Sequence, residues 1–164
     1  MLYTRTLVAE DFTVPETLET SRYRLRKLTI ADLDADFEAV TSSEDHLRGV
    51  FGVRNTWPVG LTRERDLADL GWYETEFDLC TSFAYTVMSL DENFCLGCVY
   101  IYPSRALAYD AFCTMWVRAS VVAEGLDDDL FQTVKTWLAE VWPFANVAYP
   151  GRGMSWDAFE VQFE

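Results

Sequence analysis

The pattern of apolar and polar residues divides most of the chain into short strands and amphipathic helices. Alternation over Arg22 to Leu28 predicts a half-exposed strand. Thr29 follows it, with Asp32 three residues further on, which is the pattern of a capping box at the start of a first helix. A second helix is predicted from Thr62 to Asp78, with Leu67 and Leu70 on its inner face and Trp72 as a further candidate for that face.

The second half of the chain predicts a run of three antiparallel strands followed by a helix. Two segments rich in β-branched and aromatic residues, Ser82 to Met88 and Phe94 to Tyr102, are separated by a short polar stretch and predict a hairpin. Tyr109 to Val117 predicts the third strand, and Leu126 to Val141 predicts an amphipathic helix. A short last strand is expected at Ala145 to Tyr149.

The remaining segments predict one domain with an arm and a functional loop. Residues 1–18 mix polar and apolar positions and are expected to form an N-terminal arm or a short extra strand, with a single domain over residues 19–164. Residues 42–59 form an irregular connection longer than most in compact domains, so we expect a substrate loop there that includes Trp57. Residues 150–164 are expected to add one short strand.

The composition limits the partners of the protein. The formal net charge of −14 argues against nucleic acid, because phosphate contacts require clustered lysine and arginine. The same charge would suit a cationic substrate, although an acidic surface also serves solubility. No segment approaches the roughly 20 apolar residues of a membrane span, and residues 1–5 lack the apolar core of a signal peptide. We therefore expect a cytoplasmic protein without a membrane partner, and a homodimer stays open.

The four cysteines predict neither a disulfide framework nor a metal site. They are few and scattered, which favours reduced thiols. Cys95 and Cys98 form a Cys-x-x-Cys pair, but the pair lies within a predicted strand, where residues three apart point to opposite faces. On that geometry we expect no metal site.

The order of these elements and two local sequences resemble the GCN5-related N-acetyltransferases, which transfer acetyl groups from acetyl-CoA to amines. Leu18 to Arg26 is similar to the opening strand of the branch that modifies protein N-termini and small amines, and Phe94 to Ile101 is similar to the family's third strand. The likeness extends from Leu18 to Tyr149. It implies an α/β (α+β) fold with a mixed, mostly antiparallel sheet of about five to seven strands and helices on both faces.

The resemblance also implies where acetyl-CoA would bind. In this family the cofactor enters a gap beside the fourth strand, and its pyrophosphate rests on the turn before the next helix, where backbone amides can approach it. The matching positions are the strand residues Met115, Trp116 and Val117 and the turn residues Val122, Ala123, Glu124, Gly125, Leu126 and Asp127. Only Gly125 keeps the family's motif, so this pyrophosphate site is degenerate. We further expect Asp127 to Asp129 to accept hydrogen bonds from the helix amides and to repel a phosphate.

Candidate catalytic residues come partly from the chemistry of amine acetylation, which needs a base for the ammonium proton and an acid for the leaving thiolate. Glu76 is our candidate base, with Asp78 and Asp110 as alternatives, although each could be a solvated carboxylate. Tyr149 stands near the position of the family's tyrosine acid, although it could be a packed aromatic residue. His46, the one histidine, is interpreted as a surface residue.

Tyr85 and Tyr100 lie on predicted strands and could line the substrate cleft or pack in an aromatic core. Two functions therefore remain. The first is transfer of an acetyl or similar acyl group from coenzyme A to a small-molecule or peptide amine. The second is a non-catalytic relative that has lost acetyl-CoA binding and binds another small ligand or a protein.

Overall fold

The computed structural model describes residues 5–163. Within that range, one sheet is formed by Thr17–Glu19 (β1), Arg24–Lys27 (β2), Phe83–Met88 (β3), Cys95–Pro103 (β4), Ala111–Val117 (β5) and Val147–Ala148 (β6). The α-helices are Leu33–Thr41 (α1), Glu44–Leu47 (α2), Arg63–Asp78 (α3), Leu126–Glu140 (α4) and Trp156–Glu160 (α5). Short 3₁₀ helices cover Ile30–Asp32 and Ala119–Glu124.

The sheet separates two hydrophobic layers. Its strands follow one another in chain order and pair antiparallel, except that β6 pairs parallel with β5. On one face α4 packs its buried side chains, among them Leu130 and Val134, against the sheet. On the other face α1 and α3 contribute Val40 and Leu70. The predicted α/β fold, with a mixed and mostly antiparallel sheet and helices on both faces, is confirmed.

The ends of the helices follow from local sequence. The amide of Thr29 donates to the Asp32 carboxylate at 2.9 Å, which confirms the predicted capping box at the start of the first helical segment. The Thr62 hydroxyl accepts the amide of Arg65 at 3.2 Å and begins α3. The inward placement of Leu70 is confirmed, but those of Leu67 and Trp72 were wrong, since these side chains are 44% and 51% exposed.

A β-bulge in the hairpin corrects the prediction for the cysteine pair. Val87 pairs with Gly97 but Met88 pairs with Cys95, so one strand carries an extra residue between the two pairs. An extra residue shifts the alternation of side chains by one position. Cys95 and Cys98 therefore lie on the same face, in the layer that α1 and α3 cover.

Gly97, next to the bulge, allows β4 and β5 to approach closely. A Cβ atom at this position would overlap the backbone carbonyl of Trp116. The glycine of the family-like sequence is thus required by strand packing.

The two ends of the chain pack against the sheet. Val8 is buried in the core, and the amide of Leu7 donates to the carbonyl of Cys80 at 2.7 Å. Residues 1–4 of the predicted arm and residue 164 lie outside the described residues, and the boundary between arm and domain stays a prediction. In residues 150–163 the expected strand is wrong, because α5 forms there and buries Phe159 against Ala148.

Within residues 5–163, no helix combines the length and the apolar character that crossing a membrane requires.

Candidate active site

The sheet opens beside the C-terminal half of β5. Pairing with β6 is limited to Ala111 with Val147 and Phe112 with Ala148, after which the two strands part. On the other side of β5, the amide of Arg118 donates to the carbonyl of Leu96 at 2.8 Å. Since alternate residues of an antiparallel strand direct both backbone groups to the same neighbour, the amides and carbonyls of Met115 and Val117 point away from β4, into the opening.

Side chains from distant segments reach into this opening. Arg152 Nη2 lies 3.4 Å from the carbonyl oxygen of Met115, and His46 Nε2 lies 3.1 Å from that of Val117. Arg152 sits in a tight turn between Gly151 and Gly153, whose φ values of +87° and +80° suit glycine. His46 is exposed, as predicted, but it also lies at this site, which its position in the sequence did not indicate.

Arg152 also forms a two-point ion pair with the first turn of α4. Its Nη1 and Nη2 atoms lie 2.8 and 2.7 Å from the two carboxylate oxygens of Asp127. Arg22 lies at the same end of the helix, where Nη2 donates to the carbonyl of Glu124 at 2.9 Å and Nη1 is 3.9 Å from the carboxylate of Asp129. Two arginines therefore oppose the acids of this turn.

The turn itself has the strand-to-helix form expected of an anion site. Gly125 adopts a left-handed conformation with φ of +73° and is followed directly by α4. The expectation that Asp127 to Asp129 accept hydrogen bonds from the helix amides was wrong, because Gly125 occupies the N-cap position and no side chain caps α4. Val122 is 41% exposed, and Ala123 and Glu124 are also exposed.

Three cavities form a series along the opening. One of about 190 Å³ is lined by His46, Val117 and Val122, and shares Asp127 and Arg152 with a second of about 240 Å³. The second cavity shares Thr114 and Trp156 with a third of about 680 Å³ on the α3 side of the sheet. The series thus runs from the turn before α4 to this third cavity.

The third cavity is aromatic and acidic. Its carboxylates are those of Asp69, Glu76 and Glu160, and Arg65 donates to Asp69 at 3.1 Å. Burial raises the pKa of Asp69 above its ordinary value, although Arg65 opposes the shift. The aromatic side chains are Phe51, Trp72, Tyr73, Tyr102, Phe112 and Trp156. Such a lining can hold an organic cation through acids and ring faces.

The two predicted catalytic residues lie apart. Glu76 is buried, lines the third cavity and accepts a hydrogen bond from the Ser82 hydroxyl at 2.7 Å. Tyr149 lies on the α4 face, where its ring packs edge-on against Phe131, with the centroids 5.3 Å apart. Burial raises the pKa of the Tyr149 hydroxyl. Among the cavities of residues 5–163 described above, Tyr149 lines none.

The remaining predicted residues are structural neighbours of the site or lie away from it. Trp57 packs on Trp116 with ring centroids 5.9 Å apart, and Tyr100 accepts a hydrogen bond from the Trp116 indole at 3.0 Å. Both lie in the layer behind the third cavity. Tyr85 lies in the opposite layer, under α4, and its hydroxyl donates to the carbonyl of Pro15 at 2.6 Å. The structure does not bring Tyr85 to the cleft.

The comparisons with known proteins concern the fold. No family model and no curated protein matches the sequence. A ribosomal-protein alanine acetyltransferase from Vibrio fischeri matches 74% of the chain at a TM-score of 0.60 and 13% identity, with 66% of its own length covered. An acetyltransferase from Salmonella typhimurium, which modifies the N-terminal serine of a 50S ribosomal subunit protein, matches 73% at 0.58 and 12% identity, with 65% covered.

A third solved structure, a ribosomal α-N-protein acetyltransferase in complex with coenzyme A, matches 76% of the chain at a TM-score of 0.61 and 16% identity, with 68% of its own length covered. The chain therefore spans about two thirds of the length of these structures. Similarity at this level establishes the fold. The protein has the fold of the GCN5-related N-acetyltransferases, as its sequence predicted.

Proposed function

We propose that the protein transfers an acetyl or related acyl group from coenzyme A to an amine. The observation that carries this proposal is the series of adjacent cavities beside β5, which runs from the turn before α4 to the third cavity, an acidic and aromatic chamber, past Thr114 and Trp156. A donor entering from the turn and an acceptor entering from the chamber would meet at these two residues. Close positioning of two reactants is itself a large part of catalysis of group transfer.

The turn before α4 would hold the pyrophosphate of acetyl-CoA. Gly125 lets the backbone amides of Leu126 and Asp127 approach a phosphate, and the helix dipole favours an anion there. The acids of the turn oppose binding, but Arg152 and Arg22 lie beside them. In this chain the turn lacks the basic residue of the family's motif, and these two guanidinium groups would supply the positive charge instead. Guanidinium groups bind phosphate well.

The edge of β5 would hold the reacting thioester. The amides of Met115 and Val117 point into the opening and could donate to the carbonyl oxygen of the acyl group. Such donors stabilise the oxyanion that develops as the amine attacks, and removing one of them in other enzymes costs about 3 kcal/mol of the barrier. Trp116 lies between them in sequence, and its side chain points to the layer covered by α1 and α3. There its indole donates a hydrogen bond to the Tyr100 hydroxyl, which holds the strand in place.

The chamber would select a cationic amine and deprotonate it. Asp69 and Glu160 attract a positive charge, and the rings of Trp72 and Trp156 offer cation–π contacts. Glu76 is the base we propose, directly or through a water molecule, since its carboxylate is buried against Ser82 at the wall of this chamber.

The acceptor we propose is a small-molecule or peptide amine. Two of the solved neighbours acetylate ribosomal proteins, which places peptide N-termini among the amines to test. Cytoplasmic location and a homodimer remain predictions from the sequence.

The first test is a calorimetric titration of coenzyme A and of acetyl-CoA into the full chain, with dephospho-coenzyme A and pantetheine as controls. We expect micromolar binding that pantetheine, which lacks the pyrophosphate, does not reproduce. A panel of polyamines, aryl-alkyl amines and N-terminal peptides would then be screened for release of the free thiol. Absence of binding at millimolar coenzyme A would contradict the proposal.

One observation favours the second function, a binding protein without acetyl-CoA. Arg152 crosses the opening and approaches the carbonyl of Met115, where the family places the acyl arm of its cofactor. If this arrangement persists, the chamber alone would bind a cationic ligand. Amine binding to the chamber in calorimetry, without any coenzyme A binding, would support this alternative.

A further inference from the structure

A buried cluster of sulfur and oxygen atoms lies beneath the candidate site, on the face that α1 and α3 cover. Cys95 and Cys98 come from β4 and Asp36 from α1, and all three side chains are at least 96% buried. One donor atom from each lies within 4.8 Å of the others, and Cys98 Sγ is already 3.3 Å from Asp36 Oδ1. The cluster takes no part in the acyl transfer proposed above.

The bulge in β4 creates this arrangement. In a regular strand, side chains three apart face opposite ways, and the two thiols would be separated by the sheet. The extra residue at the bulge turns Cys95 to the side of Cys98. Thr86 supports the cluster from the neighbouring strand, with its hydroxyl 3.6 Å from Cys95 Sγ.

The dimensions fit a small tetrahedral cation. With Zn–S bonds of about 2.3 Å and Zn–O bonds of about 2.0 Å, donor atoms in such a site lie roughly 3.5 to 3.8 Å apart. The present separations, 4.8 Å at most, need a contraction of about 1 Å, which side-chain rotation can supply. Thiolates with a carboxylate are a ligand set that favours zinc over magnesium or calcium.

A second acid gives an independent indication of a ligand. Asp66, on α3, is 4% exposed, and its Oδ2 atom is buried without any hydrogen-bond partner. Its carboxyl group interacts with that of Asp36 on α1. Two adjacent buried carboxyls with an unpartnered oxygen are costly in a hydrophobic layer, and such a group calls for a compensating partner. A cation at the thiols and Asp36 would compensate both acids.

We propose that Cys95, Cys98 and Asp36 bind one zinc ion, with Asp66 positioning the Asp36 carboxylate from behind. The ion joins α1 to β4, and Asp66 joins α3 to the same centre. Binding displaces the protons of the two thiols and of Asp36, while Asp66 takes up one proton and donates it in a hydrogen bond to the outer oxygen of Asp36. Two protons are released overall, and the three anionic ligands leave one negative charge on the site.

The site would have a structural role. Its three protein ligands are buried, a water molecule would complete the four-coordinate shell, and the ion fastens α1 to β4 beside α3, the helix that lines the acceptor chamber. Removing the ion is therefore expected to loosen α1 and α3 against β4 and to lower the melting temperature. The coenzyme A turn, on the opposite side of the sheet, should be affected less.

The test is metal analysis of the full chain expressed in zinc-supplemented medium and purified without chelator. We expect about one zinc per chain. The protein is then unfolded, stripped with a chelator and refolded with cobalt(II), which reports sulfur ligands through charge-transfer absorption in the near ultraviolet. Cys98→Ser should lose this absorption and the bound zinc. Cys113→Ser, a buried cysteine on the other face, is the matched control and should keep both.

Two carboxylate variants complete the test. Asp36→Asn, which keeps the shape of the side chain, should abolish stoichiometric zinc even if Cys98→Ser fails to fold. Asp66→Asn should keep the cobalt absorption but weaken zinc affinity by about 10- to 100-fold, the effect typical of a residue that positions a ligand. Absence of both zinc and charge-transfer absorption in the unmodified protein would overturn the proposal. So would equal zinc content in Cys98→Ser and Cys113→Ser, which would mean adventitious binding to surface acids.

Discussion

Replacing Arg152 by alanine decides whether this side chain assists or blocks coenzyme A. Arg152 pairs with Asp127 through two contacts of 2.7 and 2.8 Å and lies 3.4 Å from the carbonyl of Met115. If it assists, Arg152→Ala removes a cation from the phosphate site and leaves the Asp127 charge unopposed. If it blocks, the same change opens the gap beside β5.

The size of the effect follows from the charges. A phosphate on the turn would lie about 6 Å from the charges of Arg152 and Asp127. At that distance two unit charges interact by roughly 1 kcal/mol at the dielectric constant of water and by roughly 3 kcal/mol at that of a protein surface. We therefore expect Arg152→Ala to weaken coenzyme A binding about 10- to 100-fold, since each 1.4 kcal/mol is tenfold. Asp127→Asn, which removes the repulsion and releases Arg152, should tighten binding about tenfold.

The assay is calorimetric titration of coenzyme A at two ionic strengths. Arg63→Ala is the matched control, because it removes the same charge from an exposed arginine away from the site. Arg63 lies at the start of α3 and pairs with Asp34 of α1. This variant should change the affinity by less than about twofold. High salt should reduce the effects of both site variants. Unchanged or tighter binding by Arg152→Ala would refute the reasoning and favour the function without acetyl-CoA.

Three further predictions test the catalytic assignment, the packing and the pH response. Glu76→Gln should lower acyl transfer to any amine that proves active by about 100-fold without weakening coenzyme A, whereas Tyr149→Phe should leave turnover within twofold; steady-state thiol release measures both. Gly97→Ala should lower the free energy of unfolding by several kcal/mol, because β4 and β5 must separate to make room for the added methyl group. Gly71→Ala, in the open middle of α3, should instead raise the free energy of unfolding by up to about 1 kcal/mol. Equal effects of the two variants in denaturant titrations would contradict this prediction. Burial raises the pKa of the Tyr23 hydroxyl to about 12, so this hydroxyl loses its proton at a lower pH in the unfolded chain than in the folded one. About 1 to 2 kcal/mol of the free energy of unfolding, fully present below pH 10, should therefore be lost as the pH rises through 12. Tyr23→Phe should flatten this decline.

Local patterns were sufficient for most of the fold. The capping box at Thr29, the helix that begins near Thr62 and the three-strand run each depend on residues close together in sequence, and all appear as predicted. The turn at Gly125 was also predictable, because left-handed backbone before a helix is a property of one glycine. The inward placement of Leu67 and Trp72 and the strand expected in the tail were wrong, because each depends on contacts with residues distant in sequence.

The charge of the candidate site could not be predicted in this way. The turn itself contains only acids, and its cations come from Arg22 and Arg152, at distant points of the chain. Gly-Arg-Gly at residues 151–153 was a usable signal, since two glycines around one arginine indicate a tight turn that presents the side chain. Even so, Arg152 can reach the opening only because β5 and β6 separate beyond their two paired residues, and this separation is a property of the assembled sheet.

The bulge in β4 shows how one local irregularity can reverse a chemical conclusion. The rule that strand residues three apart face opposite ways holds only while pairing is regular, and a single inserted residue inverts it for every position beyond. Here the inversion falls between Cys95 and Cys98, so the same two residues change from separated thiols into neighbours beside Asp36. Because Gly97 next to the bulge also permits the contact between β4 and β5, the geometry that gathers these ligands is coupled to the strand that borders the acyl-transfer opening. The Gly97→Ala variant should therefore lose charge-transfer absorption from bound cobalt(II) as well as free energy of unfolding.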